Sequence, residues 1–214
     1  QDYLRSIDHW VNIKRIRRLL RLMGIIVIYP KRNLSKLGFK QYVHPYLLRG
    51  LTIDRPNQVW AIDITYVPMR RGFMYLCAII DVHTRYVLNW GISNTMTSLW
   101  VRQIVEEAIE THGQPEIINS DQGSQFSGFE YTSLLTERDQ PIAISMDGKG
   151  RAIDNIFIER LWKSVKYECV YIHVFDDGVQ LYNGLKEYFR FYNTERNHQA
   201  LDYKTPETEY RKAA

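Results

Sequence analysis

Cysteine is nearly absent: Cys77 and Cys169 are the only two in 214 residues. Two isolated thiols, one inside an apolar run and one after a helical run, build neither a disulfide framework nor the paired spacing of a zinc site. The six histidines, His9, His44, His83, His112, His173 and His198, never recur at metal-ligand spacing, so a zinc-finger reading has no support. Long apolar runs are also missing. The longest candidate is "MYLCAII", residues 74–80, far short of the roughly twenty apolar residues that a membrane-spanning helix needs. Nothing near Gln1 resembles a signal peptide. These absences predict a soluble, intracellular chain without a membrane partner.

What is present points to one main α/β domain of ordinary size with a smaller attachment, because 45% hydrophobic residues exclude wholesale disorder. The net charge of +4 conceals an asymmetry: residues 1–50 carry 11 Lys and Arg against 2 acids, and the remainder 17 against 22. A basic arm therefore precedes a mildly acidic body. Such an arm points to a polyanionic partner, for which nucleic acid is the first candidate; a solvated helix face is the plain alternative. Within "VNIKRIRRLLRLMGI", Ile16, Leu19, Leu20 and Met23 recur at helical spacing. Lys14, Arg15, Arg17, Arg18 and Arg21 fill the other side, and Gly24 stands where a helix stops. The next stretch, "YPKRNLSKLGFKQYVHPYLLRG", reads as a partly extended linker.

From Pro56 the period changes to two. In "NQVWAIDITYVPM", Trp60, Ile62, Ile64 and Tyr66 face one way, and Val59, Ala61, Asp63 and Thr65 the other. "GFMYLCAIIDVHTRYVLNWGIS" reads as a hairpin turning near His83. A helix over about 98–111 comes next, then a strand "EIINSD", a helix "GFEYTSLLTER", a strand "PIAISMD", a loop "GKGRA", and a helix with Asp154 as N-cap. The order βββαβαβα predicts a mixed five-stranded sheet flanked by helices. The predicted organisation is an arm and linker over 1–50, a core over 51–170, and a C-terminal helix, about 179–193, with a Pro-containing tail over 171–214.

Three acids occupy suggestive positions: Asp63 within the first strand, Asp121 at the end of the fourth, and Glu159 on the last core helix. Carboxylates at strand ends can converge beside a central sheet. At about 4 Å and an effective dielectric of about 20, each like-charged pair costs roughly 4 kcal/mol, so three converging carboxylates call for a cation. Their hard oxygens favour Mg²⁺ or Mn²⁺, and a pair of such ions activates water or a hydroxyl for in-line attack on a phosphodiester. Singly, each acid has an ordinary explanation: an exposed strand residue, a turn former before Gly123, and a helix-face partner of Lys163.

The blocks "VWAIDITYVPMRRGFMYLCAIIDVHTRYVLNW", "NSDQGSQF", "SMDGKGRAIDNIFIERLWKSVKYE" and "FYNTERNHQALDYKTP", in this order, resemble an insertion-sequence transposase of the OrfB type, with a DDE-type integrase catalytic core of RNase H-like fold. The similarity runs from about Val11 to Tyr210. It implies catalytic and metal-binding roles for Asp63, Asp121 and Glu159, a pair of Mg²⁺ or Mn²⁺ ions, hydrolysis at an element end, and attack by the freed 3′-OH on another phosphodiester. It implies DNA partners (element ends and target), a homo-oligomer on DNA, a helix-turn-helix region from an upstream reading frame, and a bacterial cytoplasmic, nucleoid-associated location. Two features depart from the family pattern. Thirty-seven residues separate Asp121 from Glu159, where about thirty-five are usual, with the surplus expected near "TERDQPIA". In "ALDY", Asp202 stands where Gly is expected, a position that tolerates Asp at some cost if its backbone is left-handed.

On a helical wheel Ile158, Leu161, Trp162 and Val165 form an apolar face, while Glu159, Lys163 and Lys166 align about a quarter turn away. This places Lys163 and Lys166 against DNA phosphates; a Glu159–Lys163 ion pair is the alternative. Lys149 and Arg151 sit in a glycine-containing loop that either closes on DNA or merely connects. Ser124 and Gln125 after Asp121, and Asn155 before Glu159, are candidate supports of the acids or, for the first two, DNA contacts; Asn155 is equally readable as a helix start. The rival functions are an RNase H-like nuclease that uses water alone and a noncatalytic DNA-binding relic.

Overall fold

A computed structural model describes residues 4–5, 7–25, 44–147 and 155–212. The chain divides into two compact units, Gln1–Lys40 and Gln41–Ala214. In the first, α1 (Ile13–Leu22) begins at Asn12, whose side chain accepts the Lys14 N–H at 2.8 Å, and ends before Gly24 at φ 72°. None of its residues is buried.

In the second unit β1 (Val59–Pro68), β2 (Phe73–Asp81), β3 (Val87–Ser93), β4 (Ile117–Ser120) and β5 (Ala143–Met146) form one sheet in the order β3-β2-β1-β4-β5. β1/β2 and β2/β3 pair antiparallel, whereas β1/β4 and β4/β5 pair parallel. Two parallel steps need crossovers, supplied by α2 (Ser98–His112) and α3 (Phe129–Thr136). Then come α4 (Ile156–Val165), a π-helical turn (Lys166–Val170) and α5 (Gly178–Thr194). The mixed βββαβαβα sheet is therefore present as read from the sequence.

The period-two pattern of β1 sorts the core into two faces. Trp60 and Ile62 pack with Val101, Ile104 and Val105 of α2 and Leu134 and Leu135 of α3. Val59, Ala61 and Val67 pack with Ile158, Leu161, Trp162 and Val165 of α4 and Leu181, Leu185 and Phe189 of α5. This second face carries Asp63.

Several details differ from the sequence expectation. The N-cap of α4 is Asn155, one residue after the expected Asp154, and its side chain makes no cap hydrogen bond; Asp154 itself lies outside the described residues. The segment expected to be a plain tail contains a 3₁₀ turn, Gln199–Leu201, and a short helix α6, Pro206–Arg211, capped by Thr205. Proline at the first helical turn is a helix start as well as a tail signal. Asp202 does adopt a left-handed backbone, φ 52° and ψ 42°. Residues 137–142, around the expected surplus, join α3 to β5 without a regular element.

Both outer strands have partners beyond the sheet. Pro45 O accepts the Met146 N–H at 3.3 Å, and Leu47 N–H donates to Ser145 Oγ at 3.0 Å. On the other side Asn193 of α5 grips β3: its Oδ1 accepts the Val87 N–H and its Nδ2 donates to Val87 O, both at 2.9 Å. Asn193→Ala would strand two buried backbone groups, and a loss of about 2 kcal/mol is expected. Urea unfolding monitored by tryptophan fluorescence checks this as a lower midpoint at unchanged slope.

Candidate active site

The register of β1 and β4 brings the first two acids together. Val59 pairs with Ile117 and Ala61 with Asn119, so two residues further Asp63 stands level with Asp121, the first residue beyond β4. Helix α4 is then fixed against β1 by two hydrogen bonds. Trp162 Nε1–H donates to Asp63 Oδ2 at 2.8 Å, and Lys166 Nζ donates to Thr65 Oγ1 at 2.8 Å. Four helical residues rise about 6 Å and two strand residues about 6.6 Å. The two contacts are therefore in step, and α4 runs parallel to β1. Glu159 lies on the exposed side of this helix.

Asp63 responds to both other acids. Burial pushes its carboxyl up to about 6, and the charges of Asp121 and Glu159 push in the same direction; the hydrogen bonds from Trp162 and from the Ile64 N–H oppose the rise. No ion pair links Glu159 to Lys163 among the described residues. Among the described residues no three His, Cys, Asp or Glu side chains form a group that could hold a metal ion. In kind, the carboxylate oxygens of Asp63, Asp121 and Glu159 are the donors a hard divalent cation takes.

Asp121 folds back on its own loop, where its Oδ1 accepts the Gly123 N–H at 2.9 Å. At Gly123 an added Cβ would crowd the Gln125 side chain and Asp121 Oδ1, so a larger residue would have to displace these side-chain ends. Gln125 is buried beside this loop and Ser124 is exposed. Asn155 is buried at the start of α4. Lys163 is exposed, whereas Lys166 is half-buried against Thr65. Lys149 and Arg151 lie outside the described residues. Lys14, Arg15, Arg17, Arg18 and Arg21 are solvent-exposed on α1 in the other unit.

The sequence reading missed two features. Trp162 was assigned only to the apolar face, yet its indole N–H holds Asp63. The signal was its place three residues after Glu159, on the side of α4 that meets β1. The ends of β4 and β5 are also tied by a polar network that runs from the buried interior to the surface: Ser145 Oγ donates to Asn119 Oδ1 at 2.7 Å, Asn119 Nδ2 to Asp147 Oδ1 at 2.8 Å, and Gln122 Nε2 to Asp147 O at 2.7 Å. Polar residues interrupting the apolar strands "IINSD" and "IAISMD" are its trace in the sequence.

Comparison with known proteins gives a consistent result. A family model described as an integrase core domain matches residues 53–152, and a second so described matches residues 140–206. The transposase for insertion sequence element IS904 of Lactococcus lactis is 34% identical over 210 residues, covering 91% of this chain and 79% of the relative. The putative transposase InsK of IS150 from Escherichia coli is 30% identical, covering 94% and 71%. Among solved structures, the HTLV-2 integrase catalytic core domain in complex with magnesium aligns with a TM-score of 0.60 at 20% identity, covering 73% of this chain and 97% of that one. A simian T-cell lymphotropic virus intasome in complex with a PP2A regulatory subunit aligns at 0.64 and 19%, covering 97% and 73%. At these identities the structural likeness establishes the fold alone.

Two predictions come from Asp63. Its folded carboxyl titrates at about 6 against an ordinary 3.8, so the folded state binds this proton more tightly. The associated stability is present below 3.8 and lost as pH rises through 6. Without divalent ions, Asp63→Asn is expected to be about 2 to 3 kcal/mol more stable than the parent at pH 7.5 and equal to it below pH 4, as read from urea midpoints in chelator. Trp162→Phe removes a donor that stabilises the ionised form. The midpoint of the parent's stability loss should therefore move above pH 6, measurable in the same titration.

Proposed function

Because the chain belongs to the integrase-core transposases of insertion sequences, and is thereby a DDE-type polynucleotidyl transferase acting in DNA transposition, we propose that Asp63, Asp121 and Glu159 are its catalytic, metal-binding triad. The observation that carries this reading is the position of Asp63: mid-strand, level with Asp121 and held by α4, with a pKa raised chiefly by burial and, in smaller part, by the charges of Asp121 and Glu159. A buried carboxyl perturbed in this way, with two like charges near enough to add to the shift, is a candidate functional site on physical grounds. Glu159, exposed and without an ion pair among the described residues, can turn toward the other two.

Bound Mg²⁺ or Mn²⁺, as a pair, would supply neutralisation of the phosphoryl oxygens and activation of the attacking oxygen. The residues of the chain do the rest. Trp162 keeps one oxygen of Asp63 engaged and fixes its rotamer. Gly123 and the buried Gln125 hold the loop that presents Asp121. The Asn119–Ser145–Asp147 network locks the strand ends beneath it. In the first step water attacks an element-end phosphodiester and a 3′-OH departs. In the second, that 3′-oxygen bonds to a target phosphorus and displaces the target's own 3′-oxygen. Both steps are phosphoryl transfers in line, so one set of carboxylates serves both.

The cations Lys14, Arg15, Arg17, Arg18 and Arg21 of α1, none of them buried, suit a nonspecific grip on DNA that weakens steeply with salt. Lys163, exposed on α4, would meet a phosphate. Assembly as a homo-oligomer on DNA, and recognition of element ends by an upstream helix-turn-helix region, complete the proposal. No helix among the described residues is long and apolar enough to cross a membrane.

Asp63→Asn, Asp121→Asn and Glu159→Gln should each abolish strand transfer of a pre-cut element end in Mg²⁺, while DNA affinity stays within a few-fold of the parent. Joining at parental rate by any one variant would remove that residue from the triad. Cleavage without joining by the parent would favour a nuclease instead.

A further inference from the structure

A second concentration of charge lies on the same helix, one face away from Glu159. Phe157, Arg160, Ser164 and Tyr167 recur along α4 and its π turn beside the stripe of Glu159 and Lys163. They form one wall of a cleft of about 380 Å³ whose opposite wall includes Arg85, Arg196 and His198.

The charges in this cleft do not balance. Its one carboxylate, Glu168, is occupied: Arg196 binds it through two bonds at 2.7 and 2.8 Å, and Tyr188 OH donates to it at 2.9 Å. His198 contributes no charge near neutrality, because burial and the neighbouring Arg196 and Arg85 hold its pKa at about 4. Arg85, Arg160 and Lys163 remain, and none of them has an ion pair among the described residues.

Arg85 is the least ordinary of the three. It sits at φ 64° in the turn between β2 and β3, a left-handed conformation that costs a non-glycine residue energy. Its guanidinium stacks over the Phe157 ring at 3.9 Å and donates to the Val82 carbonyl. Its pKa is lowered to about 10, chiefly by burial and in small part by the charge of Arg160, so the two cations repel. It nevertheless stays protonated near neutrality. A planar fork held by stacking, with like charges facing it, is preorganised for an oxyanion.

We propose that this cleft is a phosphate subsite for DNA, in which Arg85, Arg160 and Lys163 together hold one backbone phosphodiester next to the strand being processed. The proposal rests on the transposase reading for the identity of the polyanion. Location favours DNA over an acidic protein segment: the cleft is lined by Arg160 and Lys163, one residue and about one helical turn beyond Glu159. A strand passing the triad would extend into it. The occupant is either the element end or the target duplex, which share this chemistry.

The test is DNA binding by the full chain in chelator, where no reaction occurs, using a pre-cut element-end duplex and an unrelated duplex. Arg160 is exposed, so Arg160→Ala should fold; Arg85→Gln, checked by its melting curve, probes the buried side. For either variant the slope of log Kd against log salt is expected to fall by about 0.9 on at least one duplex, as for one lost phosphate contact. Arg160→Lys should restore most of it. Replacing backbone phosphates singly by methylphosphonate should reveal a position that weakens binding by the parent but not by Arg160→Ala. Finding that position on the element end, on the unrelated duplex or on both identifies the occupant and supports the subsite. Unchanged slopes and an unchanged methylphosphonate pattern in both variants would overturn it, and would point to an acidic protein segment as the occupant. Failure of joining by the parent would count against the transposase reading alone, because this binding measurement needs no catalysis.

Discussion

An acid placed inside a sheet is costly, and the second unit is organised around one. Asp63 lies in the central strand, flanked by β2 and β4, on a face covered by α4 and α5. A carboxylate there loses solvent and gains two like-charged neighbours. A single indole N–H and its own strand's backbone partly offset that loss. The orientation of α4, the parallel register of β4 and the loop beyond Asp121 all serve to keep this acid accessible to its neighbours. The sheet gives up stability at Asp63 that an apolar residue would have supplied, a trade expected at a reaction centre and out of place in a purely structural domain.

Much of this was legible in the sequence, because the signals are periodic. Alternation in "VWAIDITY" fixed which face of β1 carries Asp63. The hairpin runs and the later strand–helix alternation fixed the mixed sheet, and helical spacing placed Glu159 beside an apolar face. What periodicity cannot encode is which polar atoms meet. Trp162 counts as apolar in any pattern, so its hydrogen bond to Asp63 was invisible. Lys166 lined up with Lys163 on the wheel, yet a long side chain beside a strand hydroxyl turned inward to Thr65. The short helix at Pro206 was hidden for another reason: six residues are too few to establish a period.

The π turn after α4 links the helix that holds Asp63 to the C-terminal segment. An extra residue in the turn rotates the next stretch of chain relative to the preceding helix, and at Lys166–Val170 it directs Glu168 to Arg196 and Tyr188. Arg196 in turn stands beside His198, whose ring packs edge-on to Tyr192. α4 is thus tied to β1 by Trp162 and Lys166 at one face and to the C-terminal segment by Glu168 at another. Helix α6 continues this bracing at the opposite face of the sheet, where Tyr210 stacks on Tyr86 at 4.7 Å and donates to Asn57.

The contacts of Asn193 with Val87, and of residues 45–47 with β5, also bear on how copies of the chain can meet. An exposed outer strand offers unpaired amides and carbonyls to any neighbouring strand, and joining sheets edge to edge is the easiest route to uncontrolled association. Here part of each rim is already engaged from within. Where copies of the chain meet, these engaged rims disfavour a continuous intermolecular sheet and leave side-chain contacts as the means of association.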